Sequence, residues 1–152
     1  MMKITLYTAP IFYEVRQKSH LEVQNVKDVE ERDNVRAGLD KSDEINRCIE
    51  EAFGQEVRLC SRFLTASYWA EVDDQGPLPE SYSFEFEFSE RRGVSKSESL
   101  TKALHSYAVQ YAMARFYTTV NQEQMAAKHE QQAAELARQI EELLYTKQPP
   151  IL

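Results

Sequence analysis

Two consecutive segments in the C-terminal half of the chain carry mostly apolar residues at alternating spacings of four and three. In the first segment these positions are Leu100, Leu104, Tyr107, Tyr111, Ala114 and Thr118. In the second they are His129, Ala133, Leu136, Ile140 and Leu143. Each set therefore lies along one side of an α-helix. Because only a short polar break separates the segments, the sequence predicts two antiparallel helices with matching seams, an αα-hairpin.

Capping residues predict where these helices begin. We expect Gly93 to end a preceding strand and Ser95 or Ser97 to cap the first helix. Asn121, with Gln124 three residues later, has the pattern of an N-cap and its capping-box partner. The second helix is therefore expected to begin directly after Asn121.

The alternating stretch "SYSFEFEF" at 81–88 predicts a β-strand. One face carries the rings of Tyr82, Phe84, Phe86 and Phe88. The other face carries Ser83, Glu85, Glu87 and, beyond the stretch, Ser89. "SYWAEV" at 67–72 predicts a partner strand in a hairpin with a long Gly- and Pro-containing loop. Since four exposed rings would make an aggregation-prone edge, we expect the aromatic face to pack on the helices and the acidic face to point to solvent or to a channel.

The N-terminal part also alternates. Residues 3–7 and 11–16 predict two short strands, or one strand bent at Pro10. A third short alternation follows at Leu21 and Val23.

A third helix is predicted to begin at Ser42, which is expected to be its N-cap. Its apolar stripe comprises Ile45, Cys48, Ile49, Ala52, Phe53, Val57, Cys60 and Leu64. The segment before it, 24–41, has many charges of both signs and few apolar residues. That composition indicates a mobile surface loop or an arm that orders against a partner.

Together these patterns predict an α+β fold, with a helical core, a long C-terminal αα-hairpin and a small antiparallel β element. The 152 residues fit a single domain, 1–152, with an extended tail at 147–152 because Pro149 and Pro150 cannot continue a helix.

The charge of the chain limits its partners. The formal net charge of −7 argues against general affinity for nucleic-acid backbones. The stretch "ITLYTAPIFY" is too short to span a bilayer and lacks the features of a signal peptide, so we expect a cytoplasm-like compartment and no membrane partner. Cys48 and Cys60 would lie about 18 Å apart along one helix, too far for a disulfide, and are expected to be core residues.

No motif predicts a metal, cofactor or catalytic site. His20, His105 and His129 are never within one helical turn of each other, and no metal-ligand or phosphate-loop spacing occurs. We expect His129 to be a core histidine that packs on the preceding helix or bonds a tyrosine there. Glu85 and Glu87, about 6.5 to 7 Å apart on one strand face, have the spacing of a hydrolase pair. A solvated outer face is the favoured interpretation, because the rings point to the other side.

The stretches "SLTKALHSYAVQYAMARFYTTVN" and "EQMAAKHEQQAAELARQIEELLYTKQPPIL" resemble the helical core of head–tail connector (neck or adaptor) proteins of tailed bacteriophages. The earlier helix "SDEINRCIEEAFGQEVRLCSRFL" is also placed as in such proteins. The chain differs from the simplest, all-helical connectors in its predicted strands at 3–23 and 67–88.

The resemblance implies a virion structural protein without catalysis, made in the host cytoplasm, which forms a homo-oligomeric ring between portal and tail through which DNA passes without specific binding. Neighbours in the neck or tail would be its partners. The candidate interface residues are Trp69, Arg91, Arg92, Pro149, Pro150, Ile151 and Leu152. Two alternatives remain open: a cytoplasmic interaction module that holds a partner with its helical hairpin, and a hydrolase that uses Glu85 and Glu87.

Overall fold

A computed structural model describes residues 2–24, 29–69, 79–87 and 90–145. The elements in chain order are β1 Met2–Tyr7, α1 Thr8–Val23, α2 Val29–Val35, a 3-10 turn Leu39–Lys41, α3 Ser42–Cys60, β2 Leu64–Trp69, β3 Ser81–Phe86, α4 Glu90–Thr119 and α5 Glu123–Tyr145. The predicted α+β class with a helical core is confirmed.

The sheet is antiparallel and has the order β1-β3-β2 among the described strands. β3 is central: Phe84 lies opposite Ile4 of β1 on one side and Ser67 of β2 on the other. The predicted strand at 3–7 and the predicted hairpin of β2 with β3 are therefore confirmed. Observed β2 begins three residues earlier than expected, at Leu64, and a register shift between Leu64 and Ala66 interrupts its pairing.

The predicted division of β3 into two faces is confirmed for its aromatic side. Tyr82, Phe84 and Phe86 are buried, and the Tyr82 ring stacks on Phe53 of α3 with 4.6 Å between centroids. Phe88 lies outside the described residues. On the other face Ser83 is buried and its hydroxyl is 3.1 Å from that of Thr5, so this face is acidic only towards its end.

The αα-hairpin is formed by α4 and α5. Its turn differs from the prediction: Asn121 has φ 62° and ends α4, and α5 begins only at Glu123. The N–H of Gln122 donates to Tyr117 O (2.8 Å) and that of Asn121 to Thr118 O (3.2 Å), the Schellman pattern. Asparagine is common both at helix N-caps and in the left-handed conformation that ends a helix, so the sequence pattern did not distinguish the two roles.

The prediction that Gly93 ends a strand is wrong, because α4 already begins at Glu90 and contains Gly93 as well as Ser95 and Ser97. Glycine lowers helix stability by only about 1 kcal/mol, and the buried seam later in α4 outweighs that cost. Leu100, Leu104, Tyr107 and Ala114 are buried as predicted, and so are His129, Ala133 and Ile140. Of the other predicted seam positions, Tyr111, Leu136 and Leu143 are half-buried and Thr118 is exposed.

The predicted strands at 11–16 and at Leu21 and Val23 are also wrong, because both stretches belong to α1. The buried residues of α1 are Thr8, Ile11, Val15, Ser19 and Val23. These positions step by three and four, whereas the alternation extends over only six residues and is compatible with either structure. Pro10 lies in the first turn of α1, where backbone N–H groups have no partner within the helix.

The helix predicted from Ser42 is α3, but Ser42 is its first residue and Lys41 is the N-cap. Leu64, counted in its stripe, instead starts β2. The described part of the charged segment 24–41 is not a plain loop, since it contains α2 and the 3-10 turn, and Val35 and Ala37 are buried. Its mobility stays a prediction.

Candidate protein-binding groove

A groove runs between the outer side of α1 and the turn that follows α2. One wall is formed by Tyr13, Arg16, Gln17, His20 and Leu21, and the other by Arg36, Ala37, Gly38 and Asp40. We call these residues the α1 groove. Its cavity of about 590 Å³ is in the range of ligand and peptide sites.

Large apolar side chains are exposed at this groove. Tyr13 is 58% exposed and Leu21 63%, whereas the other exposed large apolar residues of the described chain are Tyr7 and Tyr145. Tyr13 and Leu21 lie eight residues apart, with Gln17 between them, along one line of α1. The Tyr13 hydroxyl accepts a hydrogen bond from Gln17 Nε2 at 2.6 Å, which fixes the ring on the rim. An apolar rim of this kind marks a surface suited to contact with another molecule.

Guanidinium groups supply the charge of the groove. Arg16 Nε is buried and has no hydrogen-bond partner among the described residues. Arg36 lies across from it, with Nη1 3.5 Å from His20 Nδ1 and Nη2 4.0 Å from Asp33, a long and solvent-screened ion pair. Against these two arginines stands one carboxylate of the groove, Asp40. The groove is therefore locally cationic on a chain with a net charge of −7.

Hydrogen bonds hold the second wall against α1. The backbone N–H of Ala37 donates to the buried Ser19 hydroxyl at 2.8 Å. The ammonium of Lys41 donates to three carbonyls at the end of α2, those of Asp33, Asn34 and Arg36, at 2.6 to 2.9 Å. Intramolecular hydrogen bonds thus hold both walls in place, so binding a partner would cost less conformational entropy than it would for a flexible groove.

A buried polar cluster anchors the C-terminal end of α1 to the hairpin. One Glu22 oxygen accepts hydrogen bonds from the Tyr117 hydroxyl and from His129 Nε2, each at 2.9 Å. His129 Nδ1 contacts Gln110 Oε1, and its ring stacks on Tyr117. Both ring nitrogens of His129 therefore have a polar partner, one in the Glu22 carboxylate and one in the Gln110 amide.

The pKa values of this cluster follow from its contacts. Burial raises the pKa of Glu22, but hydrogen bonds from His129 and Tyr117 and the charge of His129 outweigh burial, so the pKa lies below its usual value. Burial, followed by the negative charge of Glu22, raises the pKa of the Tyr117 hydroxyl. The expectation of a buried core histidine is confirmed, although His129 bonds Glu22 and Gln110 and only stacks on a tyrosine.

A second buried carboxyl lies elsewhere, on α3. Glu56 is fully buried, and neither oxygen has a hydrogen-bond partner among the described residues. Burial raises the pKa of Glu56 well above its usual value, so the side chain is held in its neutral form. The predicted stripe of α3 did not include this residue.

The residues predicted from sequence do not form one site. The side chains of Trp69, Arg91 and Arg92 lie outside the described part of the chain, although their backbones belong to β2 and α4. The tail residues Pro149, Pro150, Ile151 and Leu152 also lie outside it. Their roles at an interface stay predictions.

The hypothetical hydrolase pair occupies the end of the sheet. Glu85 is half-buried and lies directly opposite Lys3 in the register of β1 and β3, and Glu87 is exposed just after the strand. An opposite charge across the strands gives Glu85 a role in strand pairing.

The two cysteines are core residues, as the sequence predicts. Cys48 and Cys60 are free and buried, and burial raises the pKa of their thiols to about 11 and about 12. The described residues contain no group of three or more potential metal-ligating side chains. Nor does any helix in this part of the chain combine the length and apolar character of a membrane span.

The α1 groove was missed because Tyr13, Arg16 and Leu21 were assigned to strands and the opposite wall, 36–40, to a charged loop or arm. The spacing of Tyr13, Gln17 and Leu21 by four is the signal that would have placed them on one helix face.

Comparison with protein-family models, curated proteins and solved structures found no match to this chain.

Proposed function

We propose that the protein is a non-enzymatic structural protein of a tailed-phage virion, which assembles as a homo-oligomeric ring in the neck and joins portal to tail. The observation that carries this proposal is the α1 groove, a preformed surface with exposed apolar side chains and two arginines. Such a surface suits protein contact, because apolar anchors and arginines are enriched where proteins bind each other.

Two further features support a ring of this kind. The αα-hairpin provides a rigid body, since α4 and α5 bury their seams against each other and Glu22 ties α1 to them. The net charge of −7 would let DNA pass without adhering to the ring. The resemblance of the C-terminal half to neck connectors joins these features into one function.

Native mass spectrometry and negative-stain imaging test the proposal. The purified protein is measured over a range of concentrations, alone and with a matching phage portal protein. A closed ring, either free or formed only on the portal, is the expected result. A monomer or dimer that ignores the portal would contradict the ring and favour an interaction module with another partner.

A further inference from the structure

A second groove lies between α3 and α5, and α4 forms its floor. It consists of two adjoining cavities of about 310 and 370 Å³ that share the ring of Tyr107, and we call it the α4 groove. The Tyr107 ring stacks on that of Tyr111, with 5.9 Å between centroids. On the α5 side, the small residues Ala133, Ala134 and Ala137 line the second cavity. Rings next to small side chains leave room for apolar groups of another segment.

The charged side chains along the α4 groove have neighbours of opposite charge or polar partners. Arg115 Nε donates to the Glu51 carboxylate at 2.9 Å. Arg62 Nη1 donates to the Tyr145 hydroxyl at 3.4 Å, and Glu141 lines the same cavity as Arg62. Because cations and acids occur together along both cavities, the groove offers no charge of one sign to a partner. An uncharged, apolar segment is therefore the occupant that suits it.

The chain itself carries such a segment next to the groove. Tyr145, the last residue of α5, is exposed and lines the first cavity. Shortly after it, the stretch "QPPIL" at 148–152 is uncharged and combines two prolines with two aliphatic residues. Proline-containing segments bind grooves lined by aromatic rings, because their preformed extended conformation loses little entropy on binding.

The length of this tail matches the length of the groove. A helix rises about 1.5 Å per residue, so Ala134 lies about 17 Å before Tyr145 along α5. The six residues 147–152 span about 19 Å in an extended, proline-type conformation. A tail that turns back at the end of α5 therefore reaches past Tyr107 to the alanines.

We propose that the α4 groove binds residues 147–152 of the same chain, with the two prolines on the ring of Tyr107 and the two aliphatic residues beside Ala134. The same chain is favoured over a second copy, because a short tether gives the tail a millimolar effective concentration at the groove. The filled groove is a property of the free chain and does not require the proposed ring.

Engineered disulfides test the position of the tail. Ile151→Cys combined with Ala134→Cys places one thiol on the tail and one in the groove. Ile151→Cys combined with Gln139→Cys is the matched control, because Gln139 is exposed on the opposite side of α5 and lies closer to Tyr145 along the helix. A tail that moves at random would reach the control position at least as easily. The two native cysteines are buried and do not compete.

In a glutathione redox buffer, the groove pair is expected to form an intramolecular disulfide at least about tenfold faster than the control pair. Non-reducing electrophoresis and mass spectrometry measure the rates, and circular dichroism confirms that both variants are folded. Equal rates for the two pairs would overturn the proposal. Disulfide-linked dimers in place of the intramolecular bond would assign the groove to the tail of another copy, which also overturns it.

Peptide binding tests the groove without any substitution in it. The peptide "KQPPIL", with its amino end acetylated, is titrated into the chain that lacks residues 147–152 and into the full chain, and NMR chemical shifts follow binding. The shortened chain is expected to bind the peptide with a Kd of about 1 mM or lower, and the full chain at least about tenfold more weakly, because its own tail competes. The peptide "KQAAIL" is the control and should bind more weakly. Equal binding to both chains, or none to the shortened chain, would contradict the proposal whether or not the ring forms.

Discussion

Glu22, partly buried at the edge of the helical core, and Glu56, fully buried within it, are two carboxyl groups with opposite surroundings. Glu22 accepts hydrogen bonds from Tyr117 and His129, and its pKa is lowered. Glu56 has no hydrogen-bond partner among the described residues, and burial raises its pKa. A buried charge is tolerated where partners surround it, whereas a buried acid without partners is tolerated only in its neutral form.

The difference follows from where the two residues lie. Glu22 sits near the end of α1, where one side chain can reach residues from both α4 and α5. Glu56 lies in the middle of α3, near Tyr82, Tyr107 and Cys60. The first carboxyl connects three helices, and the second occupies a volume that an apolar side chain would fill.

The largest expected effect is the loss of the Glu22 partner. His129→Leu would remove one hydrogen bond from the carboxylate of Glu22 and leave the buried amide of Gln110 without its His129 partner, so we expect unfolding to become easier by about 3 kcal/mol at pH 7. Urea denaturation followed by circular dichroism measures the change. The matched control is His105→Leu, because His105 pairs with Glu14 at the surface, at 3.5 Å, and its loss should cost at most about 0.5 kcal/mol. An equal loss of unfolding free energy in both variants would show that the buried cluster contributes no more to stability than the surface pair does.

Replacing Glu56 should have the opposite effect, a gain in stability. Glu56→Met replaces an unpartnered acid by an apolar side chain of similar length, and we expect a gain in unfolding free energy of about 1 to 3 kcal/mol at pH 7. Thermal and urea unfolding measure it. Glu50→Met, an exposed change on the same helix, should stay within about 0.5 kcal/mol of the wild type. A loss of stability in Glu56→Met would mean that the carboxyl makes a contact on which the core depends.

The contributions of the two carboxyls to the unfolding free energy should also change with pH in opposite directions. Glu22 has a folded pKa below the usual 4.5, so its contribution is present above pH 4.5 and is lost as the pH falls through the folded pKa. Glu56 has a folded pKa above 4.5, so stability is highest below pH 4.5 and declines as the pH rises towards the raised pKa.

Unfolding free energies measured across the acid-to-neutral range test these slopes in the wild type and two variants. Glu56→Met should remove the decline above pH 4.5 and leave the acid limb, whereas Glu22→Gln should flatten the acid limb only. If the unfolding free energy of Glu56→Met still declined above pH 4.5, another group would be the cause of that decline.

The contrast between the carboxyls also shows what sequence could predict. The αα-hairpin, α3 and the aromatic face of β3 follow from periodicity, because long buried seams leave a repeated pattern. The Glu22 cluster joins α1 to α4 and α5 over 95 to 107 residues of chain, and no local pattern records such a contact. Glu56 is polar at an otherwise apolar helix face, so a pattern based on apolar residues passes over it.

The N-terminal region shows a different limit. Residues 11–16 alternate over too short a stretch to separate strand from helix, and the outcome is set by packing of Ile11 and Val15 into the core. Since the α1 groove exists only if this segment is helical, an error in one element concealed the whole candidate site.

The smallest expected effect concerns the turn that places His129 against Glu22. Asn121 adopts φ 62° at the end of α4, a conformation that costs a residue with a Cβ about 1 to 2 kcal/mol unless it is asparagine or glycine. Asn121→Ala should therefore destabilise the protein by about 1 kcal/mol, whereas Asn121→Gly should be neutral or slightly stabilising. Because neither change touches a carboxyl, both variants should keep the pH slopes of the wild type while shifting its stability. If Asn121→Gly were as damaging as Asn121→Ala, the side chain rather than the backbone conformation would hold the turn, and the placement of His129 would depend on a contact of Asn121 itself.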